Sequence, residues 1–131
     1  MKKYSHSFKA LMLTAALALP AMAFAAEPVM MKDGVMADHK GMTLYTFDKD
    51  TTAGKSVCTG ECAEYWPAFK APADAKAEGD WTIVKRDDGT MQWAYKGKPL
   101  YYFNKDVKPG DKAGDKMKDV WHVITNSGPK M

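Results

Sequence analysis

The chain has 131 residues, 46% of them hydrophobic and 27% charged, with 19 lysines and arginines against 16 acids. That is enough for one compact domain with a modest core. Most of the positive excess lies at the start: without Lys2, Lys3 and Lys9 the balance is 16 to 16, and Arg86 is the only arginine, so the one-sign basic stripe of a nucleic-acid binder is missing.

Residues 1–25 read as a secretory signal peptide. A basic start is followed by an apolar run over Ala10 to Leu19 and by the A-x-A site Ala23-Phe24-Ala25, with cleavage expected near Ala25. The run is too short to span a membrane, and nothing later is long and apolar enough to replace it. No cysteine near the cleavage site could carry a lipid. The expectation is a protein of the periplasm or the exterior, with no membrane span and no lipid anchor.

In the remaining chain, 26–131, VMMK, Asp33-Gly34, VMAD, HKG and TLYTF read as three short strands broken by turns. A helical turn or two is expected in GECAEYW, stopped before Pro67. Residues 70–80, KAPADAKAEGD, form an Ala/Pro/Asp-rich linker without apolar periodicity. WTIVKR, Asp88-Gly89, MQWAY, KGKP and LYYF then repeat the three-stranded pattern, and WHVIT gives a last strand.

The two patterns are copies. LYTFDKD at Leu44 returns as LYYFNKD at Leu100, and Gly41 with Gly97 and Gly54 with Gly110 extend the match without a gap. With a one-residue slip, Trp66 pairs with Trp121. This is an internal duplication, about 28–69 and 81–125. One meander buries too little apolar surface to stand alone, whereas two can share a core. The predicted fold is all-β: two tandem three-stranded antiparallel meanders in one pseudo-twofold domain, with a short helical turn near the cysteine pair.

Within the heptapeptide, strand alternation puts Tyr45 with Phe47 on one face, and Tyr101 with Phe103 likewise. A buried tyrosine hydroxyl needs a partner, and the aspartates five residues on, Asp50 and Asp106, are candidates. An extended strand would hold each roughly 16 Å from its own tyrosine. Either the chain turns back, or each tyrosine meets the other copy's aspartate. The acidic loops read as Asx-stabilised turns, in preference to calcium loops, because the glycine falls one place late and the distal glutamate is missing.

The motif Tyr45-x-Phe47-x-x-Asp50, repeated at Tyr101, Phe103 and Asp106, resembles that of secreted bacterial repeat proteins, often lipoproteins, carrying Yx(FWY)xxD. The resemblance extends over nearly all of the mature chain, including CTGECAEYWP. It implies a secreted repeat of unknown function.

Cys58 and Cys62 are the only cysteines, and export favours a structural disulfide, worth on the order of 2 kcal/mol for so short a loop. A redox dithiol and a copper site are the rivals. Met30, Met31 and Met36, with His39 and His122, offer thioether and imidazole ligands suited to copper. The same methionines also suit core filling or sacrificial oxidation. No nucleophile elbow or other catalytic constellation is visible. The reading is a non-catalytic binding or envelope-stress module for a periplasmic ligand or protein, with a copper-binding or thiol/methionine redox protein as the alternative.

Overall fold

A computed structural model describes residues 27–129; the signal peptide expected over residues 1–25 and the cleavage site expected near Ala25 lie outside them. Strands β1 (Val29–Lys32) and β2 (Val35–Asp38) form an antiparallel hairpin with Val29 opposite Asp38 and Lys32 opposite Val35. Its two-residue turn, Asp33-Gly34, has φ of 51° and 87°. Positive φ at both positions matches the right-handed twist of the flanking strands, which is why Asp-Gly is written there. The same device, Lys96-Gly97 with φ of 51° and 84°, joins β5 (Met91–Tyr95) to β6 (Lys98–Pro99). Strand β4 (Trp81–Lys85) lies on the other side of β5.

Strand β3 (Tyr45–Phe47) follows the first hairpin, and α1 (Glu61–Tyr65) occupies the predicted helical turn. A 3-10 turn, Met117–Asp119, leads into β7 (Trp121–Val123). The third strand of each meander is looser than the sequence suggests. In the first copy, Thr43 meets Ala37 through a single bridge. In the second, the ladder begins two residues early, at Lys98. After Leu100 donates to the Trp93 carbonyl at 3.0 Å, Tyr101 leaves β5 for bridges to Tyr45 and Ala68.

The copies do more than pack: each lends its last segment to the other's sheet. Strand β7, from the second copy, pairs with β3 of the first, Tyr45 opposite Val123 and Phe47 opposite Trp121. It continues onto β2, where the Met36 amide donates to the Ile124 carbonyl at 2.8 Å. Reciprocally, residues 68–70 of the first copy pair into the second, through Ala68 with Tyr101 and Lys70 with Gln92. The Phe69 amide donates to Leu100 and the Phe69 carbonyl accepts from Trp93, both at 2.9 Å. At the centre, Tyr45 and Tyr101 exchange both backbone hydrogen bonds, at 2.8 and 3.0 Å. That reciprocal pair marks the pseudo-twofold axis.

The repeated heptapeptide is buried on both faces. Leu44 and Leu100 enter one core with Val29, Met36, Phe69, Trp81 and Ile124. Tyr45, Phe47, Tyr101 and Phe103 enter a second, aromatic core with Cys58, Trp66 and Trp121. Strand alternation separates the two sets, and coverage on both sides makes both apolar.

Candidate functional site: an aromatic cleft on the pseudo-twofold axis

Each repeat tyrosine reaches the other copy's aspartate. Tyr45 donates to Asp106 Oδ2 at 2.6 Å, and Tyr101 donates to Asp50 Oδ2 at 2.5 Å. The second oxygen of each carboxylate accepts an amide seven residues on, Val57 for Asp50 at 2.7 Å and Ala113 for Asp106 at 2.8 Å. Each aspartate thus closes its own loop and anchors the opposite strand. Burial pushes both carboxyls above the ordinary range, outweighing the tyrosine and amide donors that pull them down.

The halves differ in what holds the hydroxyl from behind. In the first, the Gly114 amide donates to Tyr45 Oη at 3.1 Å. In the second, Tyr101 Oη lies 2.6 Å from Ser56 Oγ, which in turn accepts from Arg86 Nη1 at 2.9 Å. Arg86 also donates to the Gln92 side chain at 2.7 Å and to the Cys58 carbonyl at 2.5 Å. Gln92, fully buried, donates to the Leu100 carbonyl at 2.8 Å. Sequence reasoning missed this network; its one signal was that Arg86 is the only arginine.

These anchors hold four rings in a column. Phe47 stacks on Trp121 at 4.1 Å, Trp121 on Trp66 at 3.7 Å, and Trp66 on Phe103 at 4.2 Å, with interplanar angles of 10°, 2° and 21°. The column is largely buried, and its edge forms part of the lining of a cleft of about 600 Å³. Tyr65, Met117 and Val120 contribute apolar walls, and Lys49, Lys105 and Lys118 line it with positive charge against the single acid Glu61. Among the described residues the one contact of a basic side chain with a carboxylate at salt-bridge distance is His122 with Asp48, so none of these lysines is neutralised by a carboxylate contact. Gly114 sits so close under the column that a Cβ there would lie 2.6 Å from the Trp66 ring.

The sequence of the chain matches the profile of a family described as a secreted repeat of unknown function, Lipoprotein_15, twice, over residues 28–70 and 82–125. The chain belongs to this family. No curated protein and no solved structure matches it. Both matched repeats of this Lipoprotein_15 member contribute to the cleft, Phe47, Lys49 and Trp66 from the first and Phe103, Lys105 and Trp121 from the second. No helix among the described residues is long and apolar enough to cross a membrane.

The cysteine pair of this family member lies at disulfide distance, with an S–S separation of 2.05 Å. Cys58 is fully buried and Cys62 lines the cleft. The sequence candidates for a metal are divided between places. Met30, Met31 and Met36 lie on the β1–β2 hairpin, and all three line a small cavity of about 260 Å³. His39 lies in the turn after β2, with Nε2 2.8 Å from the Glu27 carbonyl. His122 stands on β7, opposite Thr46, with Nε2 2.9 Å from Asp48. Among the described residues, no three histidines, cysteines or acids cluster as a metal site.

Proposed function

We propose that this is an exported, periplasmic, non-catalytic binding module whose site is the aromatic cleft on the pseudo-twofold axis. The ligand is apolar and carries negative charge. The observation that supports this reading is the four-ring column set beside three lysines without carboxylate partners. Concave, mostly apolar sites with a few placed polar groups are the usual form of small-ligand sites. The disulfide is structural, tying α1, whose Tyr65 lines the cleft, to the buried Cys58. Tryptophan fluorescence during titration with anilinonaphthalene sulfonate tests the reading. Saturable quenching is expected, and Val120→Glu, which places a like charge on the wall, weakens it about tenfold in protein that circular dichroism shows to be folded. Absence of quenching, or indifference to Val120→Glu, overturns it.

A second reading rests on a separate observation, the three methionines around the small hairpin cavity. Thioethers suit copper(I). Competition for copper(I) against a chromophoric chelator would show one equivalent bound and lost in Met31→Leu; no transfer from the chelator rejects it.

A further inference from the structure

The lining of the cleft falls into repeat-related pairs. Phe47 with Phe103 and Lys49 with Lys105 are 56 positions apart, and Trp66 with Trp121 are 55 apart. At the same 55-residue spacing, Cys62 answers Met117 and Tyr65 answers Val120. Glu61 and Lys118 are the lining residues without a lining counterpart. A pseudo-twofold axis therefore runs through the cleft, and a phenylalanine, a lysine and a tryptophan recur on both of its sides.

The ends of the column are the two phenylalanines that precede the paired lysines. Phe47 is the ring at one end and Phe103 the ring at the other, and the successive centroid separations of 4.1, 3.7 and 4.2 Å set these end rings at most about 12 Å apart. Each paired lysine follows its phenylalanine by two residues, immediately before an aspartate that is locked to the opposite half's tyrosine. Both lysines are exposed at the charged head while the backbone beneath them is anchored.

Resting on the binding reading above, we infer that the ligand is a two-ended anion: a flat apolar body with an acidic group at each end, one for Lys49 and one for Lys105. A ligand with a single acidic group would leave one of these paired lysines without a partner. A two-ended one matches the symmetry of the paired lysines, so either of its ends can meet either of them.

The experiment compares biphenyl-4,4′-dicarboxylate with biphenyl-4-carboxylate by tryptophan quenching, at low and high salt. The dicarboxylate should bind about fivefold more tightly, the scale of one added exposed ion pair. High salt should erase most of that advantage. Lys49→Gln and Lys105→Gln should each reduce dicarboxylate affinity by a similar factor and leave the monocarboxylate nearly unchanged in either single variant, because it can turn to the remaining lysine. Equal binding of the two probes, or an effect confined to one of the two lysines, overturns the two-ended ligand while leaving the cleft as a site. Binding of neither probe removes the cleft reading and the two-ended ligand together.

Discussion

The hydroxyl of Tyr45 donates to Oδ2 of Asp106, a residue of the other repeat, at 2.6 Å, and Tyr101 makes the matching bond to Asp50. Both tyrosines are fully buried, so truncation leaves a buried carboxylate oxygen without a donor. Tyr45→Phe and Tyr101→Phe should each cost about 1–3 kcal/mol in urea unfolding, the cost of an unsatisfied buried polar group. A double-mutant cycle of Tyr45→Phe with Asp106→Asn should show coupling of about 1 kcal/mol. Strict additivity would mean that tyrosine and aspartate serve the fold independently.

The same pairs set the pH dependence of stability. Asp50 and Asp106 hold their protons more tightly folded than unfolded, chiefly because of burial. Their contribution is therefore fully present below the unfolded value of 3.8 and is lost as pH rises through the folded values. The tyrosines act at the other end. Burial, then the carboxylate partners, push Tyr45, Tyr101 and Tyr102 above the ordinary 10.0. Their contribution is intact below pH 10 and is lost as pH climbs beyond it. Unfolding followed from acid to alkali should show these two aspartates favouring the fold in acid, and Asp50→Asn with Asp106→Asn should flatten that slope. In alkali, the tyrosinate absorption of these three should appear together with the loss of circular dichroism. Their titration well before unfolding would contradict the buried pairs.

Much of this was legible in the chain. The ungapped heptapeptide, the Asp-Gly turn and the proline after Trp66 specify the repeat, the hairpin and the end of α1 through local chemistry alone. Strand rise excluded a bond between Tyr45 and Asp50 along one extended strand, leaving reversal or exchange between copies. What decided for exchange is non-local. Nothing in WHVIT says whether it pairs with its own meander or the other, because both present the same apolar faces. The column was half visible: Trp66 and Trp121 aligned with a slip, but their contact depends on both segments crossing the axis. Arg86 and Gln92 were not foreseen because their partners, the Cys58 and Leu100 carbonyls, are backbone atoms that a sequence does not distinguish.

Exchange of terminal segments also predicts how the molecule behaves when cut. The linker residues Pro72 to Asp80 are exposed apart from a partly covered Ala75, and they carry few of the contacts that join the halves. A protease nick there should leave two fragments that co-migrate in gel filtration, held by β3 with β7 and by residues 68–70 with the second sheet. Separated under denaturant, each fragment lacks a strand that the other supplies, and so should not fold to the native near-ultraviolet signal alone. Mixing should restore it. Fragments that fold independently, or that separate on nicking without denaturant, would show the exchanged strands to be dispensable.

One buried group escapes the symmetry of the repeat. Thr46 is 1% exposed, and among the described residues its Oγ1 finds no hydrogen-bond partner. Its counterpart 56 positions on, Tyr102, donates to Asp38 at 2.7 Å, but in the second copy, where Ala94 pairs with Pro99 as Ala37 pairs with Thr43, the position matching Asp38 is Tyr95. The first copy's carboxylate thus has no second-copy equivalent to receive Thr46. A hydroxyl buried without a partner costs about 1–3 kcal/mol, and valine has nearly the same shape with a higher preference for strands. Thr46→Val should therefore stabilise by about 1 kcal/mol, raising the melting temperature by roughly 4–8 °C for a domain of this size. Thr46→Ser, which keeps the orphan hydroxyl and removes the methyl, should lower it. A fall in melting temperature for Thr46→Val would mean that the hydroxyl has a partner in solution opposite His122.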